Sequence, residues 1–153
     1  ITARIKQLQI EQHVKLAGWL SGEAKHGWLS RASIFVLPSY VENMPMGILE
    51  AMTWGMPVVS TKVGCIPDII EDGREGLLID HGDVAALQAA IRRLLLSDDE
   101  RRIMGLAARR RVDRELAPQA VIPRIDTMYS KYLVKNGQQA GMHHQQDEEV
   151  RCA

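Results

Sequence analysis

The chain has 153 residues, 46% apolar and 25% charged, and its 19 basic and 19 acidic side chains leave no formal net charge. That length supports one domain with a core, and the charge balance excludes a general nucleic-acid binder. No apolar run reaches the roughly 18 residues of a membrane span, no signal-peptide pattern opens the sequence, and Cys65 and Cys152 are too few for a disulfide framework, so a reducing cytosolic setting is expected.

Ile1 to Glu11 reads as the tail of a helix, with Ile5 and Leu8 on one face. The chain opens inside an element and without Met, so a piece of a longer polypeptide is expected. His13 to Trp19 (HVKLAGW) predicts a short strand, and Glu23 to Arg31 a short helix. Ser33 to Pro38 (SIFVLP) is a continuous apolar run, the pattern of a strand covered on both faces. A helix starting near Met46 closes at Gly55, and Pro57 to Ser60 follows as a buried strand. Pro67 to Glu71 gives about one helical turn, closed by Gly73, before a strand at Glu75 to Ile79.

The remainder is helical. Asp83 is a natural N-cap for a helix to Leu96, with Val84, Leu87, Ile91, Leu94 and Leu95 as its buried face. Ser97 or Asp98 caps a second helix through Leu116, whose first turn is acidic, as the macrodipole favours. A third runs from Pro123, acceptable at a first helical position, to Lys135, with Val121, Ile125, Met128 and Tyr132 marking its face. From Asn136 to Ala153 the sequence is polar and aperiodic and reads as a disordered tail, leaving residues 1–135 as the folded domain. Strands alternating with helices predict an α/β fold, a Rossmann-like parallel sheet with flanking helices and a helical C-terminal part.

Ligands of such sheets bind beyond the carboxyl ends of the strands. The loop and helix after SIFVLP lie there, and they carry Glu42 and Glu50 with seven residues between them. A helix start offers unpaired N–H groups and partial positive charge, which favour a phosphate. Ionised carboxylates accept strong hydrogen bonds from vicinal hydroxyls. One acid could therefore hold a ribose diol while the other meets a sugar. The plain alternative is that Glu50 merely complements the helix dipole and Glu42 is a solvated loop acid; the spacing alone leaves both readings open.

The surrounding residues carry more. Leu49 to Met52 (LEAM), Gly55 to Thr61 (GMPVVST), Val63 to Ile70 (VGCIPDII), Asp72 to Ile79 (DGREGLLI), the Asp83 to Leu95 pattern and Arg101 to Arg109 follow the Glu42–Glu50 pair in order. From Val14 to about Leu116, the chain resembles the C-terminal nucleotide-sugar-binding domain of retaining GT-B glycosyltransferases (family 4, glycosyl transferases group 1; many ordered motifs together make this specific). That family includes the enzymes of bacterial exopolysaccharide, capsule and lipopolysaccharide as well as sucrose and glycogen synthases. The resemblance implies a hexosyl transfer, with retention, from a UDP-, GDP- or other NDP-sugar donor to a glycan or lipid-linked acceptor.

By the same resemblance, Glu50 binds the donor's ribose hydroxyls and Glu42 contacts the donor sugar. Backbone amides of Met44, Met46 and Gly47 meet sugar hydroxyls and diphosphate, with Pro45 contributing no N–H. Gly64 lets the backbone come near the ligand. Cys65 stands where the family carries a second Gly; a positive φ there would strain it, while its plain reading is a small buried hydrophobe. No cofactor and no metal are implied: orientation and electrostatics stabilise the leaving diphosphate.

The family's Gly-Arg loop and Lys, which clamp the diphosphate, and its acceptor-binding N-terminal domain with a catalytic-site His have no counterpart in these residues. Neither Lys15 nor Lys62 takes the clamp's place, and His13, His26 and His81 do not match the His. In a 3-2-1-4-5-6 sheet, HVKLAGW corresponds to strand three and SIFVLP to strand four, so the strands between them are lacking. Strand three could re-pair with strand four, copies could exchange strands into a homo-oligomer, or the edge could need the missing part. The isolated chain is expected to be inactive in transfer.

Trp19, Trp28 and Trp54 read as core residues, with Trp19 the one candidate for stacking on a base. Arg109-Arg110-Arg111 reads either as a solvated face or as an attraction for anionic lipid, the latter giving peripheral contact at the inner face of the membrane. His143, His144, Asp147 and Glu148 read as tail, with adventitious metal binding the other reading. Three functions compete: the donor-binding half of a cytoplasmic glycosyltransferase, a non-catalytic nucleotide-sugar-binding module or inactive fragment, and an unrelated open α/β regulator of flavodoxin type. The last leaves the ordered motifs unexplained.

Overall fold

Three parallel strands in the order β1-β2-β3 form the sheet: β1 (Phe35–Leu37), β2 (Val58–Thr61) and β3 (Gly76–Ile79). The computed structural model describes residues 1–149, with side chains through Leu133. Ile1–Ala32 forms one compact unit and the chain from Ser33 onward a second. The first contains helices α1 (Thr2–Gln7) and α2 (Gly22–Leu29), neither with a buried residue. Its Trp28 ring takes Lys15 and Arg31 at 5.4 and 5.9 Å, within cation–π range.

The segment His13 to Trp19 forms no strand; it is a turn followed by irregular backbone. Its apolar alternation does not suffice without a neighbour to accept its ladder hydrogen bonds, because an isolated strand is not stable in water. Re-pairing of strand three with strand four is therefore not realised: all three strands of the sheet come from the second unit. β1 pairs in register only with β2, Phe35 opposite Val58 and Leu37 opposite Ser60. Its Val36 is exposed and its neighbours half-buried, so the expectation of cover on both faces fails. The continuous apolar run reports a strand's composition and not how many layers cover it.

β2 is buried at every residue, as a β-branched run between two neighbours should be. α3 (Met46–Thr53) buries Ile48, Ala51 and Met52, a spacing of three and four that faces the sheet. It ends in a Schellman motif: Gly55 at φ +69 lets its N–H reach Met52 O at 2.9 Å and the Met56 N–H reach Ala51 O at 3.1 Å. α4 (Ile66–Ile69) is a single short turn before β3.

α5 (Val84–Leu96) is capped as expected, Asp83 Oδ1 accepting the Ala86 N–H at 2.8 Å. α6 (Asp98–Arg111) is capped by Ser97, which accepts the Glu100 N–H. Together they cover the sheet face bearing Val59, Leu77 and Ile79, through Ala90, Leu94 and Met104. The buried face of α5 is narrower than its periodicity suggests. Leu94 is fully buried and Leu87 and Ile91 are partly so, but Val84 and Leu95 face water, because the helix meets the sheet along one line.

α6 ends at Arg111 in a π-helical turn, Val112–Leu116, where one continuous helix was predicted. α7 (Pro118–Glu149) starts at Pro118, which takes the first helical position assigned to Pro123; Pro123 lies inside the helix. Its predicted face is mostly exposed at Ile125, Met128 and Tyr132. The backbone also stays helical through Glu149, where disorder was expected from Asn136. Residues 150–153, and the side chains of His143, His144, Asp147 and Glu148, lie outside the described residues. Among those described, no helix is long and apolar enough to cross a membrane.

The tryptophans do not form a core: Trp19 and Trp54 are exposed and Trp28 is half-buried. Nor is Arg111 a solvated residue. It donates to Asp68 O at 2.7 Å and stands 4.0 Å from the buried carboxylate of Glu75, which also accepts the Glu71 N–H at 2.8 Å. Arg74 lies 3.4 Å from the same Glu75 oxygen as Arg111, and its hydrogen bond to Glu71 raises its guanidinium pKa. A buried carboxylate requires such partners, and these link the segment before β3 to the end of α6.

Two adjacent leucines test the α5 face. Leu94→Ala should cost about 3 kcal/mol as a buried truncation, and Leu95→Ala under ~0.5 kcal/mol as a surface change. Urea denaturation midpoints measure both; similar losses would contradict this orientation.

Candidate functional site

Ser60 and Thr61, at the carboxyl end of β2, are buried hydroxyls, and each donates across to the chain leaving β1. Ser60 Oγ bonds Leu37 O at 2.7 Å and Thr61 Oγ1 bonds Ser39 O at 2.6 Å. Ser39 in turn donates its own hydroxyl to Glu42 Oε1 at 3.0 Å. The carboxylate of Glu42 is thus oriented by a chain of two hydrogen bonds that begins in the most buried strand. An ionised carboxylate has about four acceptor sites, so one bond from Ser39 fixes Glu42 without exhausting it.

Gly64, following β2, holds the loop from the other side. Its φ is +56, and a Cβ there would sit 1.9 Å from Glu42 O and 2.8 Å from Glu42 C. Only glycine permits that approach. Gly64 therefore admits the backbone of Glu42, a role distinct from the ligand approach that the resemblance implies. The neighbouring Cys65 bonds Asn43 O through both its N–H, at 3.4 Å, and its thiol. Cys65 has φ −87, so the strain anticipated for it is absent, and it is half-exposed where a buried hydrophobe was expected.

α3 starts directly after this loop. Pro45 is its N-cap, buried and extended, and no side chain caps the helix, in contrast to α5 and α6. First-turn N–H groups of a helix have no intrahelical acceptor, so the uncapped start of α3 is suited to an anion. Met44 and Met46 are exposed beside it. Gly47 packs against the Phe35 ring, 3.1 Å from where a Cβ would lie. Glu50 stands one turn further along α3, half-buried.

Glu42 and Gly64 are thus brought together, and Met44, Met46 and Gly47 surround the start of α3. Sequence reasoning missed Ser39 and Thr61. Their signal was a hydroxyl residue at the end of each of two successive apolar strands, LPS and VST. Lys62 makes a 3.8 Å pair with Asp80, both well exposed, a contact of little energetic weight. Among the described residues no group of three His, Cys, Asp or Glu is placed to hold a metal ion.

The profile of the family described as "Glycosyl transferases group 1" matches residues 1–111. The amylovoran biosynthesis glycosyltransferase AmsK of Erwinia amylovora is 38% identical over 112 residues, covering 69% of this chain and 28% of the relative. Sucrose-phosphate synthase from Thermosynechococcus elongatus superposes with a TM-score of 0.78 at 26% identity, over 88% of this chain and 34% of that one. Alr3699/HepE of Anabaena, crystallised in complex with UDP, superposes with a TM-score of 0.77 over 85% of this chain and 35% of its own; at 21% identity it speaks for the fold alone. The chain spans about a fifth to a third of the length of the curated relatives it matches.

Gly64 and Gly73 both have positive φ, but nothing lies within 4 Å of a Cβ at Gly73. Gly73→Ala should therefore cost only the backbone term, about 1–2 kcal/mol, and Gly64→Ala should cost more, with the acidic loop displaced. Urea denaturation with amide chemical shifts of residues 39–44 checks this; equal costs and an unmoved loop would refute the contact.

Proposed function

The chain belongs to the glycosyl transferases group 1 family, and on that premise we propose that it supplies the donor-binding half of a retaining hexosyltransferase. The donor is a nucleotide sugar and the acceptor a glycan or lipid-linked glycan. The observation that carries this reading is the pinned acidic loop running into the uncapped start of α3. A sugar diphosphate needs hydroxyl acceptors and an anion site side by side, and this segment supplies both.

In this reading, Glu42 accepts a hydroxyl of the donor sugar while Ser39 holds it in place. Glu50 accepts the ribose hydroxyls. The amides of Met44, Met46 and Gly47 meet the sugar and the diphosphate as negative charge builds on the leaving group. Neither a metal nor a cofactor takes part. A uridine nucleotide and a guanosine nucleotide are the first donors to test, and the likeness to AmsK, an amylovoran biosynthesis glycosyltransferase, supports a polysaccharide as the product class. Because the chain spans a minor part of its relatives, most acceptor contacts are assigned to the rest of such proteins, and the 153 residues alone bind donor without transferring it. We place the reaction on the cytoplasmic side of the membrane, where a lipid-linked acceptor could be met.

Calorimetric titration with UDP and with GDP tests the proposal. One nucleotide should bind, and Glu50→Ala should weaken it about 10- to 100-fold, the loss of one or two hydrogen bonds to a charged group. A folded chain that binds neither, or binds equally well after the substitution, would rule out this donor site.

A further inference from the structure

A hollow opens beyond the carboxyl ends of all three strands. It is a half-open, largely apolar hollow of about 180 Å³, floored by Ile79, Val84 and Leu87 and rimmed by Tyr40 after β1, Thr61 at the end of β2 and Asp83 after β3. At roughly 30 Å³ per water in the liquid, that is space for about six waters. One pyranose ring can be accommodated in such a space.

The walls have the chemistry of a carbohydrate subsite. Tyr40 is 70% exposed, although the His81 ring meets it in an edge-to-face contact with centroids 5.8 Å apart. The Tyr40 hydroxyl reaches Gly82, whose φ of +80 favours glycine, at an ordinary contact distance of 3.6 Å from where a Cβ would be. An exposed aromatic held by an edge-to-face neighbour offers an apolar surface to the C–H face of a sugar and a hydroxyl to its rim. Across the hollow, Asp83 spends one acceptor site on capping α5; a carboxylate keeps others for sugar hydroxyls. Tyr40 is also two residues from Glu42 on the loop that Thr61 and Ser39 hold. The two faces of one pinned loop thus look onto two sites.

We propose that this hollow is a hexopyranose subsite that receives a sugar unit of the acceptor glycan. The assignment to the acceptor rests on the donor reading above; the pyranose binding itself does not.

Saturation-transfer NMR on the full chain tests the subsite, using methyl α-D-glucopyranoside, methyl α-D-mannopyranoside and methyl α-D-galactopyranoside as probes and open-chain sorbitol as the control. At least one pyranoside should receive saturation on its ring protons, and sorbitol should not. Tyr40→Ala should cut the signal at least about fivefold, as loss of a stacking face of order 1 kcal/mol implies, while Tyr40→Phe retains most of it. Tyr40→Ala should leave nucleotide titration unchanged, and Glu50→Ala should leave the pyranoside signal unchanged. Equal transfer to sorbitol, no transfer to any pyranoside, or a signal indifferent to Tyr40→Ala would overturn the subsite. Retained pyranoside binding without nucleotide binding would overturn the acceptor assignment together with the donor reading and leave the sugar site standing.

Discussion

Val58 to Thr61 lies wholly out of water, with β1 on one edge and β3 on the other. A strand so placed cannot leave a polar group unpaired. Its ladder takes the backbone groups, and the Ser60 and Thr61 hydroxyls donate to Leu37 O and Ser39 O. Those two bonds set where the chain turns as it leaves β1. The position of the acidic loop is thus a by-product of satisfying buried hydroxyls in the core, and the precision of Glu42 derives from the rigidity of β2.

Three close backbone approaches set the remaining distances. A Cβ on Gly64 would strike Glu42 O, one on Gly76 would strike Val58 O at 2.2 Å, and one on Gly105 would strike Gly55 O at 2.0 Å. The first fixes the loop, the second fixes β3 against β2, and the third brings α6 onto the end of α3. Contacts of this kind are stiff, because backbone cannot rotate away as a side chain can. The network of Glu75 with Arg74, Arg111 and the Glu71 amide adds a polar tie between α6 and the segment entering β3. It trades desolvation for orientation, as buried ion pairs do.

Both faces of the loop after β1 open at the carboxyl ends of the strands, where an open parallel sheet places its ligands. One face combines a fixed carboxylate with an uncapped helix start; the other combines an exposed aromatic with a carboxylate already engaged in a cap. Two polar partners of a transfer reaction need such adjacent but separate recesses, since each must shed water while staying in line with the other. The single loop between them, held by Ser39, Thr61 and Gly64, makes their separation a fixed quantity.

The elements whose signals are local were legible in the sequence. Asp83 and Ser97 declare their helices because a cap bonds an amide three residues away, and Gly55 declares a helix end through its own φ. The ordered motifs from Glu42 to Arg109 carried the family, and through that resemblance they named Glu42 and Glu50 as candidates. What the sequence by itself could not decide were facts requiring a distant partner: that HVKLAGW makes no strand, that β1 has an open face, that Leu95 faces water, that Trp54 lies outside the core. The same holds for Ser39 and Thr61, which are 22 residues apart in sequence and adjacent in space. Gly64 shows the division most plainly. Its type is written in the chain, but the reason for it is a carbonyl 22 residues earlier that only the folded backbone brings within van der Waals reach.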